Sequence, residues 1–178
     1  MNHTDFIVKT LGNCHIDSPL KLSRVKGDGV FDYVEDEDRI LMNSSLKNLH
    51  RLSEKNETPI SFEKAGPRDK LYFEPAKTKA AIVTCGGLCP GLNNVIRSLV
   101  MELHYRYNVR NIFGIKYGFE GFIPKYNHPY VELNPEVVSN IHTQGGTILG
   151  SSRGMQDISM IVDQLEKMNI NILFCIGG

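Results

Sequence analysis

Between Lys79 and Tyr107 the sequence sets a strand, a glycine-rich turn and a helix end to end, and no other stretch constrains the fold as tightly. Ala80-Ala81-Ile82-Val83 is a short apolar run of the kind shown by a strand buried on both faces. Leu92, Val95, Ile96, Leu99, Val100, Leu103 and Tyr107 recur at helical spacing and predict one apolar stripe. Between the two lies Thr84-Cys85-Gly86-Gly87-Leu88-Cys89-Pro90-Gly91-Leu92-Asn93. Gly86 and Gly87 permit a sharp turn and a close ligand approach where a Cβ would clash. Pro90 is expected at the first helical position, where its missing N–H costs nothing. This geometry aims backbone N–H groups and a helix N-terminus at an anion, so it reads as a phosphate cradle. It lacks the Gly-Lys-Ser/Thr of a P-loop and the Gly-x-Gly-x-x-Gly and acidic partner of a dinucleotide site. Taken alone it is equally well a tight strand-to-helix turn.

A second segment tips that balance. Gly145-Gly146-Thr147-Ile148-Leu149-Gly150-Ser151-Ser152-Arg153-Gly154 combines glycines, hydroxyls and an arginine, a set suited to several phosphate oxygens. Arg153 offers a planar fork of donors that stays charged, and in phosphoryl transfer it would offset charge developing on the transferred group. The alternative is a flexible surface loop with a solvated arginine.

The remaining elements alternate. Asn111 to Lys116 is a strand candidate followed by the aromatic and glycine loop Tyr117-Gly118-Phe119-Glu120-Gly121-Phe122. Asn134-Pro135 should cap a short helix, Glu136 to His142. Asp157 to Met168 is the next helix, with Ile158, Ile161, Val162 and Leu165 on one face, and Asn171 to Ile176 reads as a buried strand. This order predicts an α/β fold with a parallel, Rossmann-like sheet covered on both sides, its ligands at the strands' carboxyl ends.

Residues 1–75 read differently. Asp17-Ser18-Pro19, Gly27-Asp28-Gly29 and Asn43-Ser44-Ser45 break them up. Only Leu20 to Val25 and Arg39 to Met42 look like strands, around an acidic run, Asp32 to Asp38, expected to be a solvated loop. The segment is too polar for a core of its own and is expected to pack on the following domain or on a neighbouring subunit. It forms an irregular, partly β N-terminal extension, with the α/β domain from 76 onward.

Composition excludes several classes. Twenty acidic residues balance twenty basic ones, so no charge field favours nucleic acid. No apolar run is long enough to span a membrane, and Asn2, His3 and Asp5 do not begin a signal peptide. Cys14, Cys85, Cys89 and Cys175 lack the C-x-x-C spacing of a zinc site and are expected to be reduced thiols of a cytoplasmic protein. No basic partner is visible that would activate Cys85 or Cys89. His142, a lone histidine at a helix end, is expected to be structural.

The three loops, in this order and spacing, resemble the 6-phosphofructokinase family. Thr84 to Asn93 is similar to its first glycine loop, Tyr117-Gly118-Phe119-Glu120-Gly121 to its tyrosine-glycine loop, and Gly145 to Gly154 to its second glycine loop. Ala65-Gly66-Pro67-Arg68 and the Leu88-Cys89 wording further resemble the long-chain subgroup of plants, protists and some bacteria, whose N-terminal extension residues 1–75 would be. The resemblance implies phosphoryl transfer from ATP to the 1-hydroxyl of fructose 6-phosphate, with Mg2+, in a homo-oligomeric enzyme, a tetramer in the family. It implies that Gly87 contacts the donor's phosphates through its backbone, that Tyr117 lies near the nucleotide, that Arg153 contacts the transferring phosphate and is catalytic, and that Gly154 lines the nucleotide cleft. Gly177-Gly178 resembles the start of the family's Gly-Gly-Asp-Gly motif, so the metal-binding aspartate, the catalytic base and the sugar-phosphate site are expected beyond Gly178 and no metal ligand within the chain. The sequence is thus expected to be an N-terminal fragment, incomplete at its C-terminus. A pyrophosphate-dependent enzyme of the same fold is the nearest alternative. A non-catalytic nucleotide-binding or subunit-interaction fragment is the alternative from another class, and a dinucleotide-binding module is disfavoured by the missing glycine pattern.

Overall fold

The computed structural model describes residues 8–177, which leaves Asn2, His3, Asp5 and Gly178 outside the described residues. The chain divides into two compact units, Met1–Tyr72 and Phe73–Gly178, slightly upstream of the break that turn chemistry suggests after residue 75.

The first unit is built from short pieces. Strand β1 (Ile16–Asp17), strand β2 (Arg39–Leu41), helix α1 (Leu46–Glu54), strand β3 (Ser61–Glu63) and strand β4 (Lys70–Leu71) pair as two antiparallel two-stranded ribbons, β1 with β4 and β2 with β3. The expected strand over Leu20 to Val25 does not form. Only Ser23 bridges, to Asp32, because turns at Lys26-Gly27 leave no partner long enough to pair with. The two-residue strands are too short to carry a readable periodicity, and α1, whose Leu46, Leu49 and Leu52 fall at helical spacing, buries none of its residues. Leu20 and Ser61 are the buried side chains among this unit's described residues. Ion pairs supply much of the cross-linking: Arg24 with Asp69, Lys26 with Glu35 and Asp38, Lys64 with Asp38, Arg68 with Asp36 and Glu63, and Lys70 with Asp17.

The second unit is a mixed α/β layer structure. Strand β5 (Lys79–Cys85) lies parallel to strand β6 (Asn111–Ile115) on one side and to strand β8 (Ile172–Gly177) on the other, and the short strand β7 (Val131–Glu132) adds antiparallel to β6. Every residue of β5 from Ala80 to Cys85 is buried. Strand alternation sends Ala80 and Ile82 to one face and Ala81, Val83 and Cys85 to the other. Helix α2 (Leu92–Met101) covers the first face with Ile96 and Val100, and helix α3 (Ile158–Met168) covers the second with Ile161, Leu165 and Met168. Full burial of a side chain such as Ile96 or Val100 stabilises by roughly 1.5–3 kcal/mol relative to exposure, and the partly buried residues of α3 contribute less.

Several expectations are revised. Pro90 is not the first helical residue: it sits in a turn, and the helix starts after Gly91, a left-handed N-cap with φ 91°. The stripe of α2 is narrower than its apolar residues, since Val95 is 43% exposed while polar Asn93 is buried. The helix continues as a π-turn, Glu102–Arg106, before Asn108, at φ 57°, reverses the chain into β6. Glu136 to His142 is not a regular helix but a run of turns followed by a 3-10 turn at Ile141–Thr143. The Asn134 side chain still accepts the Val137 N–H at 2.9 Å, the expected cap. On α3, Asp157 is not the first helical residue but the N-cap, its side chain accepting the Ser159 N–H at 2.8 Å, while Ile158 and Val162 point to solvent and Met168 joins the core instead. Strand β8 is half-buried rather than buried, because among the described residues it is bonded on one side only.

Candidate active site

The three loops converge above the carboxyl ends of β5 and β6. The first leaves β5 at Gly86, whose φ of +74° makes the turn; Gly87 has an ordinary φ and is exposed. The turn therefore falls to Gly86 alone, and what is distinctive at Gly87 is open space rather than backbone conformation. The tyrosine-glycine loop leaves β6 through Tyr117 and enters a 3-10 turn, Gly118–Phe122.

The second glycine loop follows no strand. It lies between the turn at Ile141–Thr143 and α3 and reaches the same edge through tertiary contacts. Thr84, fully buried at the end of β5, donates its hydroxyl to the Gly150 carbonyl at 2.6 Å and lies 3.0 Å from the Thr147 hydroxyl. Ser151 Oγ donates to the Gly86 carbonyl at 2.7 Å, which ties the two glycine loops directly. Asn93 clamps the loop's entry, its amide donating to the Gln144 carbonyl at 3.1 Å and accepting the Ile148 N–H at 2.9 Å. Lys116 Nζ donates to the Ile148 carbonyl at 2.6 Å. An unsatisfied polar group at any of these positions would cost about 1–3 kcal/mol, so the loops are held in one arrangement.

Arg153 thereby comes next to Gly87: its Nη2 lies 4.0 Å from where a Cβ on Gly87 would stand. Arg153 is exposed, and among the described residues nothing hydrogen-bonds or ion-pairs with its guanidinium. An unpaired fork of donors beside open backbone is the arrangement an oxyanion needs. Gly154, at φ +102°, has nothing within 4 Å of its Cβ direction. Tyr117 is left-handed at φ 59°, which for a bulky residue costs on the order of 1–3 kcal/mol and survives only where the surroundings enforce it. Its N–H donates to the Leu149 carbonyl at 2.8 Å, and its ring fills the space of a Cβ at Gly150, 2.9 Å from Cδ1. At Gly118 a Cβ would fall 2.7 Å from Ser152 Oγ. The three loops thus interlock through glycines.

Sequence reading did not single out Asn93 as a clamp, Thr84, Ser151 or Lys116 as ties, or His128. The one available signal was Asn93, a polar residue set inside an apolar helical stripe. Burial, and secondarily the neighbouring Cys175 sulfur, push the Cys85 thiol up, which suits a structural thiol. His142 is exposed in its 3-10 turn. Gly177 has φ +94°, and a Cβ there would strike the Cys85 carbonyl oxygen. Among the described residues no group of three His, Cys, Asp or Glu could hold a metal ion. The two glycine loops offer amides, hydroxyls and a cation rather than carboxylates, so they do not fit Mg2+.

A family model described as Phosphofructokinase matches residues 79–178. The chain belongs to the phosphofructokinase family. The ATP-dependent 6-phosphofructokinase of Borreliella burgdorferi is 47% identical over 176 residues, covering 98% of this chain and 38% of that protein. The enzyme of the same name from Entamoeba histolytica is 54% identical over 116 residues, covering 65% of this chain and 26% of its own length. The chain therefore spans well under half the length of the curated phosphofructokinases it matches. Among solved structures, the phosphofructokinase of Pichia pastoris in the T-state superposes with a TM-score of 0.51 at 26% identity, over 67% of this chain and 13% of that one. No helix among the described residues is long and apolar enough to cross a membrane.

Proposed function

We propose that this chain supplies the donor-binding lobe of an ATP-dependent 6-phosphofructokinase, which transfers the terminal phosphoryl group of ATP to the 1-hydroxyl of fructose 6-phosphate. The observation that carries it is the approach of Arg153 to Gly87 across two glycine loops far apart in sequence. In this reading the Gly87 backbone receives the donor's phosphates, Tyr117 flanks the nucleotide and Gly154 lines its cleft. Arg153 meets charge that grows on the transferring group, a role that fits a reaction catalysed mainly by positioning and electrostatics. The relatives named above are ATP-dependent, so pyrophosphate as donor is not favoured. Mg2+ would accompany ATP, neutralising phosphate charge, and would be held by groups outside the described residues. Residues 1–75 act as an N-terminal extension of this lobe, and the family resemblance supports a cytoplasmic homo-oligomer.

Arg153→Ala in the full-length protein tests the reading. kcat should fall by the equivalent of roughly 2–4 kcal/mol of transition-state stabilisation while the KM for ATP changes little. If kcat stays put and KM alone climbs, Arg153 only holds ground-state donor and its assigned role is wrong.

A further inference from the structure

His128 belongs to none of the three loops, yet its imidazole meets the Tyr117 ring at 4.6 Å between centroids, tilted by 51°. It is itself fixed from two directions. The Tyr126 ring stacks on it at 5.9 Å, 8° from parallel, and Glu120 Oε2 lies 3.7 Å from Nε2. His128 and Glu120 each keep only 26% of their side-chain surface exposed, and Tyr117 as a whole residue is 42% exposed. A tyrosine in the left-handed region, pressed on Gly150 and left partly open, needs something to hold its ring, and His128 is the aromatic neighbour that does so. Lys116 Nζ, itself tied to the Ile148 carbonyl, also lies over the Tyr117 ring, 5.5 Å from its centroid, so the ring is held by a cation as well as by the imidazole.

We propose that His128 is a positioning residue for the nucleoside part of the donor. It props the Tyr117 ring at the height at which a ribose or base can lie against it, and it takes no part in binding phosphate. The inference rests on the reading of Tyr117 as the residue beside the nucleotide. It separates two contributions to ATP affinity: the glycine loops bind the phosphates, and Tyr117, held in place by His128 and Tyr126, flanks the nucleoside.

The test is calorimetric titration of the full-length protein with ATP and with inorganic tripolyphosphate, joined to steady-state kinetics. His128→Ala should weaken ATP by roughly three- to tenfold, the scale of one lost aromatic pair, with tripolyphosphate affinity and kcat unchanged. His128→Phe, which restores a flat ring, should recover ATP affinity. His128→Leu, which fills the space without an aromatic face, should not, and it replaces the alanine variant if that one melts early. Equal weakening of ATP and tripolyphosphate would show that His128 supports the phosphate cradle and overturn the proposal, as would a failure of His128→Phe to rescue. Tyr117→Ala identifies which reading has failed. If it weakens ATP and His128→Ala does not, only the prop is wrong. If Tyr117→Ala leaves ATP untouched, the assignment of Tyr117 beside the nucleotide falls and this inference falls with it.

Discussion

The two units solve the problem of holding a backbone in place by different means. Residues 73–177 bury an apolar layer on each face of one sheet, with Ile82, Ile96, Ile112, Ile115 and Phe122 almost wholly removed from water. Residues 8–72 bury Leu20 and leave Phe31, Leu46, Val25 and Ile40 in solvent, joining their short ribbons by charge pairs such as Arg24–Asp69 and Lys26–Glu35. Apolar burial is insensitive to salt and protonation. Exposed ion pairs contribute little and fade with both. The contrast teaches where precision can be afforded in this chain. The loops that must place Arg153 beside Gly87 hang on the buried sheet, not on the ribbons.

The largest expected effect comes from the buried side. Ile82→Ala should cost about 2–5 kcal/mol in urea unfolding, through lost transfer free energy and the cavity left between Ile96 and Val100. Phe31→Ala, at 86% exposure, should stay within about 0.5 kcal/mol of the unmutated protein. A comparable loss from both would break the comparison, because Phe31 would then have to be covered in solution.

A smaller effect on stability, but a marked one on binding, is expected at Gly87. An alanine there meets no nearer atom than Arg153 Nη2 at 4.0 Å and suffers no backbone strain, so the melting temperature of Gly87→Ala should hold. Titration with ATP should nonetheless show weakened binding, because the methyl group occupies the space of an incoming phosphate. Normal ATP binding by a well-folded variant would contradict the cradle.

The subtlest effect concerns the ribbons. Raising salt to about 1 M shrinks the screening length to about 3 Å, and hydrogen exchange across residues 8–72 should then speed up while that of residues 79–115 does not. Acid should act in the same direction. Hydrogen bonds and charge from Lys70 hold the Asp17 carboxyl below its usual value near 3.8, and a hydrogen bond from Lys26 does the same for Asp38. A carboxyl with a lowered folded pKa stabilises fully above its unfolded value and loses that contribution as pH falls through the folded one. Exchange rates corrected for intrinsic pH dependence should therefore rise in the first unit as pH drops below about 4, ahead of the second. Uniform behaviour of both units under salt and acid would mean that charge does not distinguish them.

The sequence by itself determined the strand–turn–helix over Lys79 to Met101, the strand at Asn111, the cap at Asn134 and the three loops that carry the family resemblance. Those features are written in neighbouring residues: unbroken apolar strands, a 3.6-residue period, an asparagine before a proline, and glycines where the chain must turn. Only the tertiary structure decided the rest. Leu20 to Val25 has strand composition but no partner of matching length, and a strand exists only when another pairs with it. Glu136 to His142 has its Asn134 cap but resolves into turns, since a cap does not outweigh the packing of Val138 and Ile141 into the core. Above all, nothing local to Arg153 states that it meets Gly87. That approach depends on Thr84, Asn93 and Ser151 binding a distant loop through side-chain hydrogen bonds, and such long-range pairings leave no period in the sequence to be read.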